Sequence, residues 1–341
     1  MDDLPSVLAD ARFSREIQLQ NVAGLETCRV KYADFGHGDE ASGDQRVLLF
    51  MGPLFGTRWI HVFKDGLAKQ HKVRMLMIDR PGFGGTDAVD IKQRLEATRE
   101  IVVALLQRLE IRHVSVACQS AGTVYALDLL LHHPEILCPD RPYLAIGAPW
   151  IHPSHTDALP MAIASRLPAA ALGTVDKLAS FIQTTVNPIM LSGFGAAPAG
   201  EASEDDESSK LEASLLPKVM EKAFREGVHG MSDDVVVLMH KVEGTEGWSD
   251  WGDYDTLLPR LVAALQAGGK RLAVDIFFAE KDFLVGDFGK KGTNWLKACF
   301  ERVSQDIELR TEVVPGSDHD SLWDLKFGIH RRVLAKMQGT E

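Results

Sequence analysis

Short, mostly apolar runs recur along the chain at 47–51, 73–78, 114–118, 144–146, 272–278 and 308–314. Each has the length of a strand, and runs that stay apolar at successive positions belong to strands covered on both faces, as in parallel sheets. Between them, apolar residues repeat at helical spacing: Leu95, Val102, Leu105, Leu106 and Leu109 share one helical face, as do Leu257, Leu258, Leu261, Val262 and Leu265. This alternation predicts an α/β fold, a mostly parallel central sheet with helices on both faces. Segments 16–20 and 29–33, connected through the turn-prone stretch from Asn21 to Gly24, predict antiparallel strands at one edge.

The alternation stops after Trp150. From 151 to 253 the pattern is helical without strands, at 161–167, 175–185, 211–225 and 233–242, the last with Ser232 as N-cap. The chain therefore divides into a core of 1–150 and 254–341 and a helical insertion of 151–253. Within the insertion, 193–209 is rich in acids and small residues with little to bury, which predicts a mobile loop. No internal repeat is visible.

The 341 residues include 37 basic and 48 acidic side chains, a net charge of −11, and 45% are apolar. That composition supplies a large core and excludes wholesale disorder. Negative charge without a basic, aromatic-interleaved stretch argues against nucleic acid as a partner. No apolar run approaches the roughly 20 residues needed to cross a bilayer, and the N-terminal stretch lacks the basic and apolar segments of a secretory signal, so the expected location is cytoplasmic. The four cysteines, Cys28, Cys118, Cys138 and Cys299, lie far apart without metal-ligand spacing and are expected to be reduced packing residues. No metal cluster or dinucleotide-type glycine loop is found, and no cofactor is expected.

The chemistry concentrates at Cys118, Gln119, Ser120, Ala121 and Gly122, where an apolar strand runs into a serine and then a helical stretch. This is the context of a G-x-S-x-G turn, with Cys118 at the first glycine position. The turn strains the serine and needs small neighbours on either side, which Cys118 and Gly122 are. A serine hydroxyl needs a base, and the base needs an orienting acid. Asp282 follows the strand 272–278, and His319 lies in a glycine-containing loop after the strand 308–314, ahead of a helical stretch at 323–337. Open α/β sheets gather their active sites at such strand ends. Of the twelve histidines, His319 alone has this position after a late strand. The Ala121 N–H and one from the loop after Met51 are the expected oxyanion donors.

The order of these segments resembles the serine α/β-hydrolase superfamily, in its lid-bearing branch of esterases, lactonases and carbon–carbon bond hydrolases. Asp79, Arg80, Pro81, Gly82, Phe83 and Gly84, after the strand 73–78, resemble that family's D-R-x-G-x-G segment. The resemblance spans 16–150 and 254–337 and implies an α/β-hydrolase fold with a helical lid inserted after the sixth strand. It also implies a Ser120, His319 and Asp282 triad. The chain departs from the pattern where Met51 replaces the usual histidine, Cys118 replaces glycine, and Pro53 occupies a position that commonly donates its N–H to the oxyanion. Proline has none to give. Leu54, the first residue afterwards with an N–H, is the expected second donor.

The sequence thus favours a serine hydrolase acting on an ester or lactone of a small apolar molecule. Two alternatives are a carbon–carbon bond hydrolase of a diketone or polyketide-like substrate and a ligand-binding protein on the same fold with little turnover. Gly52, Pro53, Gln119, Trp150, Trp248 and Trp251 are the candidate substrate-contacting residues, and His152 and His155 stand at the entrance to the insertion.

Overall fold

The structure is a computed structural model that describes residues 6–22, 24–38, 45–173, 206–242, 252–286 and 289–339. Its elements in chain order begin with β1 Arg15–Val22, β2 Leu25–Gly36, β3 Arg46–Met51, α1 Asp65–Gln70, β4 Val73–Ile78 and α2 Arg94–Arg108. Then come β5 Ser115–Ser120, α3 Gly122–His132 and β6 Tyr143–Pro149, followed by α4 Leu159–Arg166, α5 Ala169–Leu172, α6 Asp206–Glu226 and α7 Gly230–Leu238. The chain closes with α8 Tyr254–Ala267, β7 Ala273–Lys281, α9 Thr293–Glu301, β8 Glu308–Asp318 and α10 Ile329–Gln338.

The eight strands form one sheet in the order β1-β2-β4-β3-β5-β6-β7-β8. β1 pairs antiparallel with β2 and β2 with β4, while every later pairing is parallel. The antiparallel pair lies on one edge, as the sequence predicts. Period-two alternation sends Leu49 and Met51 to one face and Leu48 and Phe50 to the other, and both faces are buried. α2, α3, α8 and α9 pack on the first face, α1 and α10 on the second.

Several boundaries differ from the expected ones. α7 starts at Gly230 and stops at Leu238, so Ser232 lies inside it, with its hydroxyl donating to the His229 carbonyl. Residues 206–209 are helical, because α6 begins at Asp206; Glu207 sits in its first turn, where unpaired N–H groups favour negative charge. The rest of the expected loop, 193–205, and the expected helix at 175–185 lie outside the described residues. The single helix expected at 323–337 is interrupted at Gly328, which takes φ +68° between a short 3₁₀ turn and α10.

α6 is moored to the core at both ends. Glu212 accepts from the Leu325 N–H at 2.7 Å and pairs with the buried Lys64 at 3.0 Å. Glu226 accepts from Arg58 at 2.7 Å and from the Trp59 indole at 2.8 Å.

Beneath this helix lies a buried cluster of Phe50, His61, Trp323 and His330, with the two imidazole centroids 4.6 Å apart. Lys64 Nζ, which can only donate, lies 2.7 Å from His61 Nδ1, so His61 is neutral with its proton on Nε2. Burial, reinforced by the Lys64 charge, holds both histidines well below their ordinary pKa. Such a group binds fewer protons folded than unfolded once the pH falls below the unfolded value near 6.5, so stability is full above that pH and is lost below it. Each histidine contributes up to about 1.4 kcal/mol per pH unit to that loss. Urea midpoints between about pH 7.5 and 5.5 are expected to fall less steeply in His330→Phe than in the wild type, since the variant has one buried imidazole fewer to charge and the remaining one, His61, loses a repelling neighbour.

Candidate active site

β5 carries its apolar side chains into both cores and ends on Ser120, where φ becomes +50°. A positive φ on a non-glycine residue is strained and persists only where the surroundings impose it. Here the β5–β6 register slips between Gln119 and Ser120, so that Ser120 faces Pro149, and the Trp150 N–H donates to the Ser120 carbonyl at 3.2 Å. Ala121 is already in αR geometry and α3 begins at Gly122. A Cβ on Gly122 would collide with the Met51 carbonyl, so only glycine lets the helix start this close beneath β3. The side chain of Ser120 thus stands at the head of a helix N-terminus, where the backbone dipoles favour negative charge.

β7 and β8 supply its partners. Asp282 follows β7 directly, and its Oδ1 accepts from the Leu284 and Val285 N–H groups at 3.0 and 2.9 Å. That turn leaves Oδ2 for His319 Nδ1, at 2.8 Å. His319 Nε2 lies 2.8 Å from Ser120 Oγ. A carboxylate only accepts, so Nδ1 carries the imidazole proton and Nε2 presents its lone pair to the serine hydroxyl. The imidazole is 2% exposed, and burial alone would lower its pKa; the attraction of Asp282, helped by Asp320 and Asp318, outweighs burial and raises it.

The histidine loop is held by its own neighbours. Asp318 accepts from the Asp320 and Ser321 N–H groups at 3.1 and 2.8 Å. Gln119, expected to meet substrate, is buried and donates its amide to the His319 carbonyl at 3.0 Å, which ties the end of β5 to the histidine loop. Spacing along the chain gives no hint of that pairing.

Other expected residues fall as follows. Trp150 is buried in the core, and its carbonyl accepts from the Tyr254 hydroxyl at 2.7 Å, so it serves packing at the head of the insertion. Trp248 and Trp251 lie outside the described residues. His155 stacks on Trp295 with centroids 3.8 Å apart, and His152 lies against His240. Cys118 is buried beside the Thr123 hydroxyl, and burial pushes its thiol up to about 12, which keeps it a protonated packing group. Among the described residues no group of three or more acidic, histidine or cysteine side chains is arranged to hold a metal, and no helix is long and apolar enough to cross a membrane.

The loop after β3 departs most from expectation. Gly52 and Pro53 point their carbonyls at one guanidinium, that of Arg80, whose Nη1 and Nη2 donate to them at 2.7 and 2.8 Å. Pro53 also accepts from the Gly56 N–H at 2.9 Å, closing a tight turn around Leu54 and Phe55. Among the described residues no acceptor engages the Leu54 or Ala121 N–H. The Arg80 side chain is buried against Asp234 of α7, with Nε at 2.9 Å. Arg80 lies in the Asp79 to Gly84 motif already visible in the sequence; Asp234, in a plain helical stretch, gives no such signal.

The architecture is shared with solved hydrolase structures. A structure from a study of carboxylesterases of the thaumarchaeon Nitrososphaera gargenis matches 95% of this chain and 100% of its own, with a TM-score of 0.57 and 14% identity. An enol-lactonase from Burkholderia xenovorans LB400 matches 94% of this chain and 97% of its own at a TM-score of 0.54 and 13% identity. An epoxide hydrolase from Vigna radiata matches 96% and 97% at 0.58 and 13%. No protein-family model matches the chain, and no curated protein resembles it in sequence.

Proposed function

The chain has the α/β-hydrolase fold, and on that premise we propose that it is a serine hydrolase acting on a carboxylic ester or lactone of a small apolar molecule. One observation supports this above all: Ser120, His319 and Asp282 form a continuous chain of 2.8 Å contacts. In this reading His319 Nε2 takes the Ser120 proton as Oγ attacks the substrate carbonyl, and Asp282 holds the imidazole tautomer and stabilises the cation that forms. The oxyanion meets the N–H groups of Ala121 and Leu54. The leaving alcohol departs with the proton from His319, and an acyl-enzyme remains on Ser120. His319 then draws a proton from water as its oxygen attacks the acyl carbonyl, and gives that proton to Ser120 Oγ as the ester bond breaks, which releases the acid and restores the serine. The helices between β6 and α8 act as a lid over the site. The serine itself argues against the epoxide-opening chemistry of a structural neighbour, since in the family this chain resembles those enzymes place an aspartate at that position.

Incubation with a fluorophosphonate, followed by intact-mass analysis and peptide mapping, tests the reading. A single adduct on Ser120 is expected, and absence of an adduct in folded protein overturns it. Activity depends on neutral imidazole, so kcat/KM is expected to rise with pH through the His319 pKa, with a midpoint above the ordinary 6.5 because Asp282 favours the charged form. A pH-independent rate contradicts the role given to His319.

A further inference from the structure

We propose that Arg80 is a positioning residue for the oxyanion loop, and that Asp234 of the insertion sets it, so that docking of α7 builds the second oxyanion donor. This deepens the serine-hydrolase reading and rests on it.

The argument starts from the proline. Because the Gly52–Pro53 peptide has no N–H, the first donor the loop offers is Leu54. A trans peptide is planar with its C=O and N–H on opposite sides, so whatever holds the Pro53 carbonyl also aims the Leu54 N–H. Arg80 holds it at 2.8 Å and holds the preceding carbonyl, Gly52, at 2.7 Å. One rigid fork thus turns two electron-rich oxygens away from the place where negative charge develops, and leaves the Leu54 donor pointing the other way.

The fork has little freedom of its own. Its Nε and Nη2 meet Asp234 Oδ2 at 2.9 and 2.8 Å, and the guanidinium lies against the Phe83 and Tyr125 rings at 5.2 and 5.0 Å. Asp234 is fully buried and also receives Arg94 Nε and the Tyr125 hydroxyl, the latter at 2.6 Å. Tyr125 belongs to α3, the helix that starts just after Ser120. A single carboxylate on the insertion therefore contacts the holder of the oxyanion loop and the nucleophile's own helix. Arg94 fixes α7 further by donating to the Gly230 carbonyl at 2.9 Å.

The test compares Arg80→Lys, Asp234→Asn and Glu212→Gln with the wild type. The first two alter the fork or its anchor, whereas the third loosens the insertion through α6 without touching the loop. The readouts are the second-order rate of Ser120 labelling by a fluorophosphonate, kcat and KM on p-nitrophenyl butyrate, the pH profile and the melting temperature. Lysine keeps the charge but cannot hold two carbonyls and a carboxylate together. Arg80→Lys is expected to slow labelling and lower kcat by roughly 10²–10³-fold, as for loss of an oxyanion donor, with KM within about twofold and the acid limb of the pH profile unmoved. Asp234→Asn, which keeps the side chain's volume, is expected to lower the same two rates by about tenfold or more, and it carries the test if the lysine variant does not fold. Glu212→Gln is expected to lower the melting temperature while its labelling rate stays within about twofold of the wild type. Folded Arg80→Lys or Asp234→Asn protein that labels at the wild-type rate overturns the proposal alone, as does an equal rate loss in Glu212→Gln. A wild type that takes no label overturns the hydrolase reading and this proposal with it.

Discussion

Ser120→Ala is expected to lower kcat on a p-nitrophenyl ester by about 10⁴ to 10⁶ and to abolish fluorophosphonate labelling, with the fold intact. The size of the loss follows from the division of labour at the site. In the proposed mechanism His319 and Asp282 move and stabilise a proton, but neither is the nucleophile, and without Oγ the acyl intermediate cannot form. What remains is the contribution of the N–H donors and of binding. The structural cost is small by comparison: alanine tolerates φ +50° no worse than serine, and one hydrogen bond to His319 is lost, worth about 1 kcal/mol. A cooperative melt within a few degrees of the wild type, together with only the small residual turnover that the N–H donors and binding sustain, is the expected pair of observations. Turnover near the wild-type rate after the substitution removes Ser120 from the mechanism.

The largest effect on stability is expected from Asp234→Ala. Asp234 is buried between Arg80 and Arg94, and although burial opposes its charge, the attraction of the two guanidiniums lowers its pKa. Removing it leaves two buried cations without their common partner and takes the acceptor from the Tyr125 hydroxyl. Breaking one side of a buried ion pair costs about 3–5 kcal/mol, because the surviving charge has neither water nor a counter-ion. In a chain of this size that corresponds to a drop in Tm of about 4–7 °C. Chemical denaturation should show the midpoint shift with little change in slope, since the surface exposed on unfolding is nearly the same. A shift below 1 kcal/mol means that Arg80 and Arg94 find other partners.

These two predictions differ in how far the sequence foretells them. Ser120 and Asp282 are legible because each follows an apolar run, and a parallel sheet places the ends of such runs along one edge; His319 follows a strand that is largely polar because β8 lies at the sheet's edge, and it is legible from its glycine-containing loop and its place in the Ser, Asp, His order. The sheet itself is legible for a related reason: strands buried on both faces carry Leu, Val, Ile and Met at nearly every position, and here such runs alternate with segments of helical spacing. The anchor at Asp234 is not legible. Its contacts with Arg80 and Arg94 span 154 and 140 residues and depend on how the insertion docks, which neither periodicity nor spacing encodes. Gln119 fails for the same reason, since its partner is a backbone carbonyl 200 residues away. Helix ends are hard to read where local signals compete. Ser232 has the chemistry of an N-cap, yet the helix extends past it to Gly230, where the Gly82 carbonyl takes the amide.

The placement of the reactive groups along the chain has a consequence for synthesis. Ser120 lies 199 residues ahead of the imidazole it contacts, and Asp282 and His319 are joined to the sheet only through its last two strands. At about 5–20 residues per second, a ribosome takes roughly 10–40 s to pass from the serine to the histidine. Throughout that interval the nascent chain carries a hydroxyl with no base beside it. On the serine-hydrolase reading proposed above, catalytic competence therefore waits for β8 and the loop that follows it, and any chain cut short before β8 carries the serine without its base.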